Sequence, residues 1–294
     1  MKLSIILPVY NVEPYLERCI RSLETQGLSP SAYELIVVND GSPDNSRGVA
    51  LHLQQEFSNI ILIDQENKGV SLARNAGIDK AQGDYLLFVD PDDYVLPNTL
   101  SGLLVQAYTL QVDVSFLGYY FLNVEGQQVA AILHEQLKNK IYNGIDAYFL
   151  SRGNGKTDPD RSVAILYNRE FMSKHELRYV AQIPYLEDGE FIARVLCLAE
   201  RCTFSGVEFY MRTTRPGSAT NSDLFFQDRA LNGFIKAAKN LKLFQAQPFL
   251  SKTQKNFLNQ PICKFILLTL IPSCSLLKWN RFQAWASNLR KERS

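Results

Sequence analysis

Residues 83–97 read GDYLLFVDPDDYVLP. Tyr85–Val89 is an apolar run of strand length, and it stops at Asp90-Pro91-Asp92-Asp93, three carboxylates within four residues. The same grammar recurs upstream. Leu3–Leu7 stops at Pro8-Val9-Tyr10-Asn11, Leu35–Val38 stops at Asn39-Asp40-Gly41-Ser42, and Ile60–Ile63 is a further short apolar run. Amphipathic stretches separate them. Leu16, Cys19, Ile20 and Leu23 recur at helical spacing, behind Asn11 as the expected N-cap and Pro14 in the first turn. Pro43-Asp44 is expected to open a second helix that runs to about Phe57. Val70–Ala81 reads as a third, with Gly83 as its C-cap, and Asn98–Gln111 as a fourth.

Strand and helix alternate without a tight hairpin, which predicts a parallel sheet with helices on both faces. Ligands of such sheets sit at the carboxyl ends of the strands. Pro8, Val9, Tyr10, Asp40 and the acidic cluster at Asp90 all fall on that one rim. After Val112 the pattern changes. Val114–Leu122 and Gln128–Leu133 read as an antiparallel pair around Asn123-Val124-Glu125-Gly126. Tyr142–Leu150, Val163–Tyr167 and Glu187–Ala199 follow as helix, strand and helix, and Cys202–Met211 as a last strand. Beyond Asp228 the chain reads as helical and basic.

The 294 residues are 46% hydrophobic and 21% charged, an ordinary globular composition that excludes a disordered chain, a collagen-like repeat and a disulfide-rich toxin. Five cysteines, an odd number with no CxxC pair, point away from a zinc site or a disulfide framework and toward a reducing compartment. The first residues, MKLSIILPVYN, lack the length and the small-residue site of a secretory signal. His52, His134 and His175 have no metal-site spacing. The net charge of +1 hides an asymmetry: Leu231–Ser294 holds eleven Lys or Arg and one acid, so the remainder nets nine negative charges. Such a tail suits an anionic surface, membrane or nucleic acid. Phe265–Ile271, interrupted by Pro272, is far short of the roughly 20 residues that span a bilayer. With Trp279, Phe282 and Trp285 among Arg281, Arg290, Lys291 and Arg293, it resembles an interfacial anchor. A helix packed on the rest of the chain is the other reading.

The residue types on the rim suggest a chemistry. Clustered carboxylates repel one another unless a cation joins them, and Mg²⁺ commonly takes one or two carboxylates plus substrate phosphates. An acidic turn that caps the next helix is the structural alternative. Asp40 at a strand end can accept from a base N–H or a ribose hydroxyl, or serve only its own Asx turn. Lys68 and Arg74 can offset phosphate charge, or be solvated cations. Asp188 stands at the start of a helix, where the dipole favours an anion; an ordinary helix cap would look the same.

Five stretches together resemble a family 2 glycosyltransferase of the GT-A fold: SIILPVYN (4–11), LIVVNDGS (35–42), NKGVSLARNAGI (67–78), GDYLLFVDPDDYVLP (83–97) and YLEDGEF (185–191). They arrive in the family's order and cover about two-thirds of the chain. RTTRPGSAT (212–220) resembles a segment of bacterial polysaccharide-assembling members. The resemblance implies an α/β, Rossmann-like, mostly parallel sheet with a helical basic extension. It implies a nucleotide-sugar-binding half (1–112), an acceptor-binding half carrying the catalytic base (113–230) and the extension (231–294). Pro8, Val9 and Tyr10 would flank the nucleobase, and Asp40 and Asn67 would hydrogen-bond it. Arg74 would lie near the diphosphate or the donor sugar. Apart from the resemblance, Arg212, Arg215 and Ser218 fall in a Pro-Gly loop after the last expected strand and could close over the diphosphate as a lid; a plain surface loop is the other reading. Asp92 and Asp90 would be the DxD pair for Mn²⁺ or Mg²⁺, and Asp188 the catalytic base.

The implied reaction is inverting transfer from a UDP-sugar to a glycan or lipid-linked acceptor in surface polysaccharide synthesis. The expected place is the cytoplasm, peripherally on the inner face of the membrane, with no nucleic acid as partner. A nucleotidyltransferase is a rival, although a Gly-rich basic loop after the first strand is missing. A non-catalytic nucleotide-sugar-binding subunit is another.

Overall fold

Leu3–Val9 (β1) and Tyr33–Asp40 (β2) are buried at every position, as strands covered on both faces must be. The structure, a computed structural model, describes residues 2–123, 125–152, 160–181, 183–184, 186–214 and 228–270. β1 pairs in parallel with β2 on one side and with Tyr85–Phe88 (β4) on the other, and Ile60–Gln65 (β3) pairs in parallel with β2. The helices Glu13–Glu24 (α1), Ser46–Glu56 (α2) and Val70–Lys80 (α3) make the crossovers. This half matches the expected alternation.

Two local expectations fail for physical reasons. Asn11 is no N-cap: it sits at φ 53°, and α1 and α2 cap each other instead. Asp44 Oδ2 accepts from the Glu13 N–H (2.8 Å), Ser46 Oγ accepts from the Val12 N–H (3.1 Å), and Glu13 Oε2 accepts from the Asn45 N–H (3.0 Å). α2 therefore starts at Ser46, later than Pro43-Asp44 suggests. Gly83 is no helix C-cap either. Ala81 ends α3, and a Cβ on Gly83 would lie 2.4 Å from the backbone of Leu3 and Ser4. The glycine lets the chain cross the foot of β1, where its N–H donates to Ser4 Oγ (2.8 Å).

Past β4 lie the two-residue strand Tyr94–Val95 (β5), the helix Leu100–Leu110 (α4), the strands Val114–Leu122 (β6) and Gln128–Ile132 (β7), and the helix Gly144–Leu150 (α5). Ile165–Asn168 (β8), Arg169–Lys174 (α6), Glu187–Leu198 (α7) and Cys202–Arg212 (β9) follow. The sheet order is β3-β2-β1-β4-β8-β6-β9-β5, with β7 on β6. β8 runs antiparallel between β4 and β6, while β9 runs parallel to β6. The sheet is parallel through its first half and mixed beyond.

Asp228–Gln245 (α8) and Lys252–Leu270 (α9) pack on α7. Asn240 donates to Glu190 Oε1 (2.5 Å), and Gln254 donates to the Cys197 carbonyl (2.8 Å). The apolar core runs unbroken from Leu3 to Leu268 and takes in Phe234, Phe257 and Phe265. The stretch expected as an anchor face is therefore divided: Phe265 and Leu268 are buried, while Ile266, Leu267 and Leu270 are exposed. Residues 271–294, with Pro272 and the tryptophans, lie outside the described residues.

Candidate active site

The rim holds what the strands deliver. Pro8 and Val9 end β1 and are buried, and Tyr10 just beyond is 48% exposed. Asp40, at the end of β2, is buried and organises the next loop. Its Oδ1 accepts from Gln65 Nε2 (2.6 Å) and the Lys68 N–H (2.8 Å), and its Oδ2 from the Gly69 N–H (2.8 Å). Three of about four acceptor positions of the carboxylate are used, and Asn67 and Lys68 are left exposed on the rim. Gly41 makes the approach possible: it sits at φ +65°, and a Cβ there would be 2.8 Å from the Asn67 nitrogen.

The acidic turn sorts its three carboxylates. Asp93 turns inward, where Oδ1 accepts from the Thr213 N–H (2.7 Å). The Thr213 hydroxyl donates to the Asp92 carbonyl (2.6 Å), and the Tyr210 hydroxyl accepts from the Asp90 N–H (3.0 Å). Burial, then the neighbouring Asp92 and Asp90 charges, push the Asp93 carboxyl well above its usual range. Asp90 and Asp92 are left partly exposed at the rim. Among the described residues no cluster of three or more His, Cys, Asp or Glu side chains is disposed to hold a metal ion.

Arg74, on α3, joins this turn to the second half of the chain. Its side chain is 3% exposed. Nη2 donates to Asp90 Oδ1 (3.0 Å), and Nη1 donates to Asp188 Oδ1 (2.8 Å) and Glu187 Oε1 (3.3 Å). The guanidinium lies 5.1 Å from the centre of the Tyr179 ring, which itself stacks on Phe191 at 4.1 Å. Ser162 adds a second donor, its Oγ to Asp188 Oδ1 at 2.7 Å. Leu186, at φ 58°, starts α7 so that Glu187 and Asp188 occupy its first turn. Burial pushes the Asp188 carboxyl up, Arg74 draws it down, Asp90 raises it again, and Ser162 and Arg212 lower it. Burial and the Asp188 charge push Glu187 up to about 7, against the pull of Arg74.

Residues 4–170 match the family model described as Glycosyl transferase family 2. The chain belongs to glycosyl transferase family 2. Among family relatives, it is 30% identical over 223 residues to glycosyltransferase GlyA of Streptococcus pneumoniae, covering 74% of this chain and 31% of that protein. It is 34% identical over 229 residues to the uncharacterized glycosyltransferase EpsJ of Bacillus subtilis, covering 74% of this chain and 62% of that one. The matched part thus spans less than two-thirds of either relative's length. The fold is that of S. aureus TarS 1–349, solved with UDP-GlcNAc, at TM-score 0.69 and 20% identity over 92% of this chain and 73% of that one. Mannosyltransferase PcManGT of Pyrobaculum calidifontis, solved with GDP-Man and Mn²⁺, superposes at TM-score 0.59 and 12% identity, over 100% of this chain and 81% of that chain.

Of the expected site residues, Arg74, Asp90 and Asp188 are brought into direct contact, while Asp40 ends β2 and holds the loop that carries Asn67 and Lys68. Arg215 lies outside the described residues, as does Ser218. Sequence reading passed over Ser162, Tyr179 and Tyr210, and took Thr213 only as part of the 212–220 stretch. Single Ser, Thr and Tyr residues in ordinary surroundings carry no local signal. Only the direct pairing of β9 with β6 and β5 brings Tyr210 and Thr213 to the acidic turn.

Proposed function

We propose that the protein is an inverting glycosyltransferase that moves a sugar from a UDP-sugar to a hydroxyl of a glycan or lipid-linked acceptor in surface polysaccharide synthesis. The observation that carries this reading is Arg74, buried and shared between Asp90 of the donor rim and Asp188 of the second half. Donor and acceptor chemistry then meet at one guanidinium.

Tyr10, exposed beyond β1, offers a stacking face for the base, and Asp40 and Asn67 offer hydrogen bonds to its edge. Lys68, Arg74 and Arg215 would offset the diphosphate. Asp92 and Asp90 fit a divalent ion. They are hard oxygen donors, partly exposed once Asp93 has turned inward, and such ions take one or two carboxylates with phosphate oxygens completing the shell. When bound, Mn²⁺ or Mg²⁺ acts as a Lewis acid on the diphosphate leaving group. Asp188 takes the proton of the acceptor hydroxyl, whose oxygen attacks the anomeric carbon as the bond to the diphosphate oxygen breaks. One base opposite one leaving group gives a single displacement, hence inversion. Burial raises the Asp188 carboxyl against the pull of Arg74, and a raised carboxylate is the stronger base.

The acceptor is proposed to lie at the cytoplasmic face of an anionic membrane. The basic extension and the exposed Ile266, Leu267 and Leu270 support this. No helix among the described residues is long and apolar enough to cross a membrane. The test is release of nucleotide across a panel of nucleotide sugars, with and without Mn²⁺, followed by NMR of the product anomer. No turnover of any donor, or a product that retains configuration, refutes the reading.

A further inference from the structure

Beneath the catalytic turn lies a second ionic cluster that the chemistry above does not use. The side chain of Asp160 is only 4% exposed. Arg152, just past α5, donates to its Oδ1, and Lys264, on α9, donates to its Oδ2. These two cations hold the Asp160 carboxyl well below the usual range, against the desolvation that opposes it. Oδ2 lies against Gly189, the residue after Asp188: a Cβ there would be 2.8 Å from Oδ2 and 3.1 Å from Cζ of Phe265, again on α9.

The strand of chain that leaves Asp160 is held firmly. Arg161 Nη1 donates to the carbonyls of Val163 and Ala164 (2.7 Å each), and Nη2 donates to that of Leu117 (3.1 Å). The Ser162 carbonyl accepts from the Tyr167 hydroxyl (3.0 Å). Ser162 Oγ then reaches Asp188 at 2.7 Å. Helix α9 thus bears on Asp188 twice, through Phe265 and Asp160 on Gly189, and through Lys264, Asp160 and Ser162 on the carboxylate itself.

We propose that Asp160 and Lys264 are positioning residues for Asp188, so that α9 is part of the catalytic apparatus and not an appendage to it. This rests on the glycosyl-transfer reading above. Asp188 has many partners, with Arg74 from α3, Ser162 from the strand of chain before β8, and the charges of Asp90, Glu187 and Arg212 around it. Arg74 and Ser162 both donate to its Oδ1. The α9 contact sets where the first turn of α7 stands, and a misplacement of about 1 Å at a reacting group costs about 100-fold in rate.

The experiment uses the full chain with Lys264→Met, Lys264→Arg and Asp160→Asn. It measures UDP affinity by calorimetry, kcat with the donor found in the panel, and backbone amide exchange. Lys264→Met and Asp160→Asn should lower kcat about 10- to 100-fold while UDP affinity stays within about twofold, and Lys264→Arg, which keeps the cation, should recover most of the rate. Exchange should quicken in residues 160–164 and 186–190 and stay unchanged in β1 to β4. Unchanged kcat in Lys264→Met, or UDP affinity falling in step with kcat, overturns the proposal. A wild type that turns over no donor refutes the glycosyl-transfer reading instead. The exchange pattern then decides alone whether α9 holds the carboxylate-bearing turn, and unchanged exchange there overturns the proposal.

Discussion

Arg74 is the residue on which the site turns, and the acids around it divide the work. With Asp188 as the proposed base, Asp188→Asn keeps the shape and removes the proton acceptor, so kcat should fall about 10²- to 10⁴-fold with UDP affinity retained. Calorimetry beside steady-state kinetics checks this. If Asp92 holds the proposed divalent ion, Asp92→Asn should lose at least about 100-fold in rate, because the leaving oxygen would lose its counter-charge, and should lose the response to added Mn²⁺ with it. A metal titration of nucleotide release reads that out. Glu187 makes a different prediction. Its carboxyl rises from an ordinary 4.5 to about 7 in the folded chain. The folded state therefore binds that proton more tightly, a contribution to stability that is complete below pH 4.5 and lost as pH climbs through about 7. Glu187→Gln should accordingly raise Tm at about pH 8 and leave it nearly unchanged at about pH 4. Paired thermal melts at the two pH values check the sign.

At the scale of elements, β1 to β4 were legible because each is a short apolar run with a polar stop, and the stops carry the rim residues. Helix starts were read less well. Asn11 offers the right side chain for a cap, but the capping oxygens come from Asp44 and Ser46, more than thirty residues away in sequence. β5, two residues long, has no period to detect. The parallel pairing of β9 with β6 joins segments about ninety residues apart and leaves no local trace. The site followed the same rule: Asp92 and Asp93 are alike in sequence, and it is the Thr213 N–H and hydroxyl, 120 residues on, that draw Asp93 inward. Gly83 was noticed for the wrong reason. With β1 backbone 2.4 Å from any Cβ there, Gly83→Ala should cost about 3 kcal/mol or more by forcing β1 and α3 apart. Urea denaturation of the variant measures it.

The whole molecule is an acidic body joined to a basic end, and α8 and α9 are built into the body's core. The exposed Ile266, Leu267 and Leu270 can therefore be tested without cutting the chain. Leu267→Gln with Leu270→Gln should weaken co-sedimentation with anionic vesicles while leaving Tm within a few degrees. Salt should weaken the wild type's binding without abolishing it, since the apolar part is unscreened. Equal sedimentation of variant and wild type would show that this face does not meet lipid. The bond from Thr213 to Asp93 also bears on how the chain is made. It closes across 120 residues, and contacts so distant form late because the loop between them must first be ordered. On the ribosome, the acidic turn is synthesised long before the strand that sorts its charges. A nascent chain therefore carries three unsorted carboxylates while the next 120 residues are made, and the rim takes its sorted form only once β9 has emerged and docked.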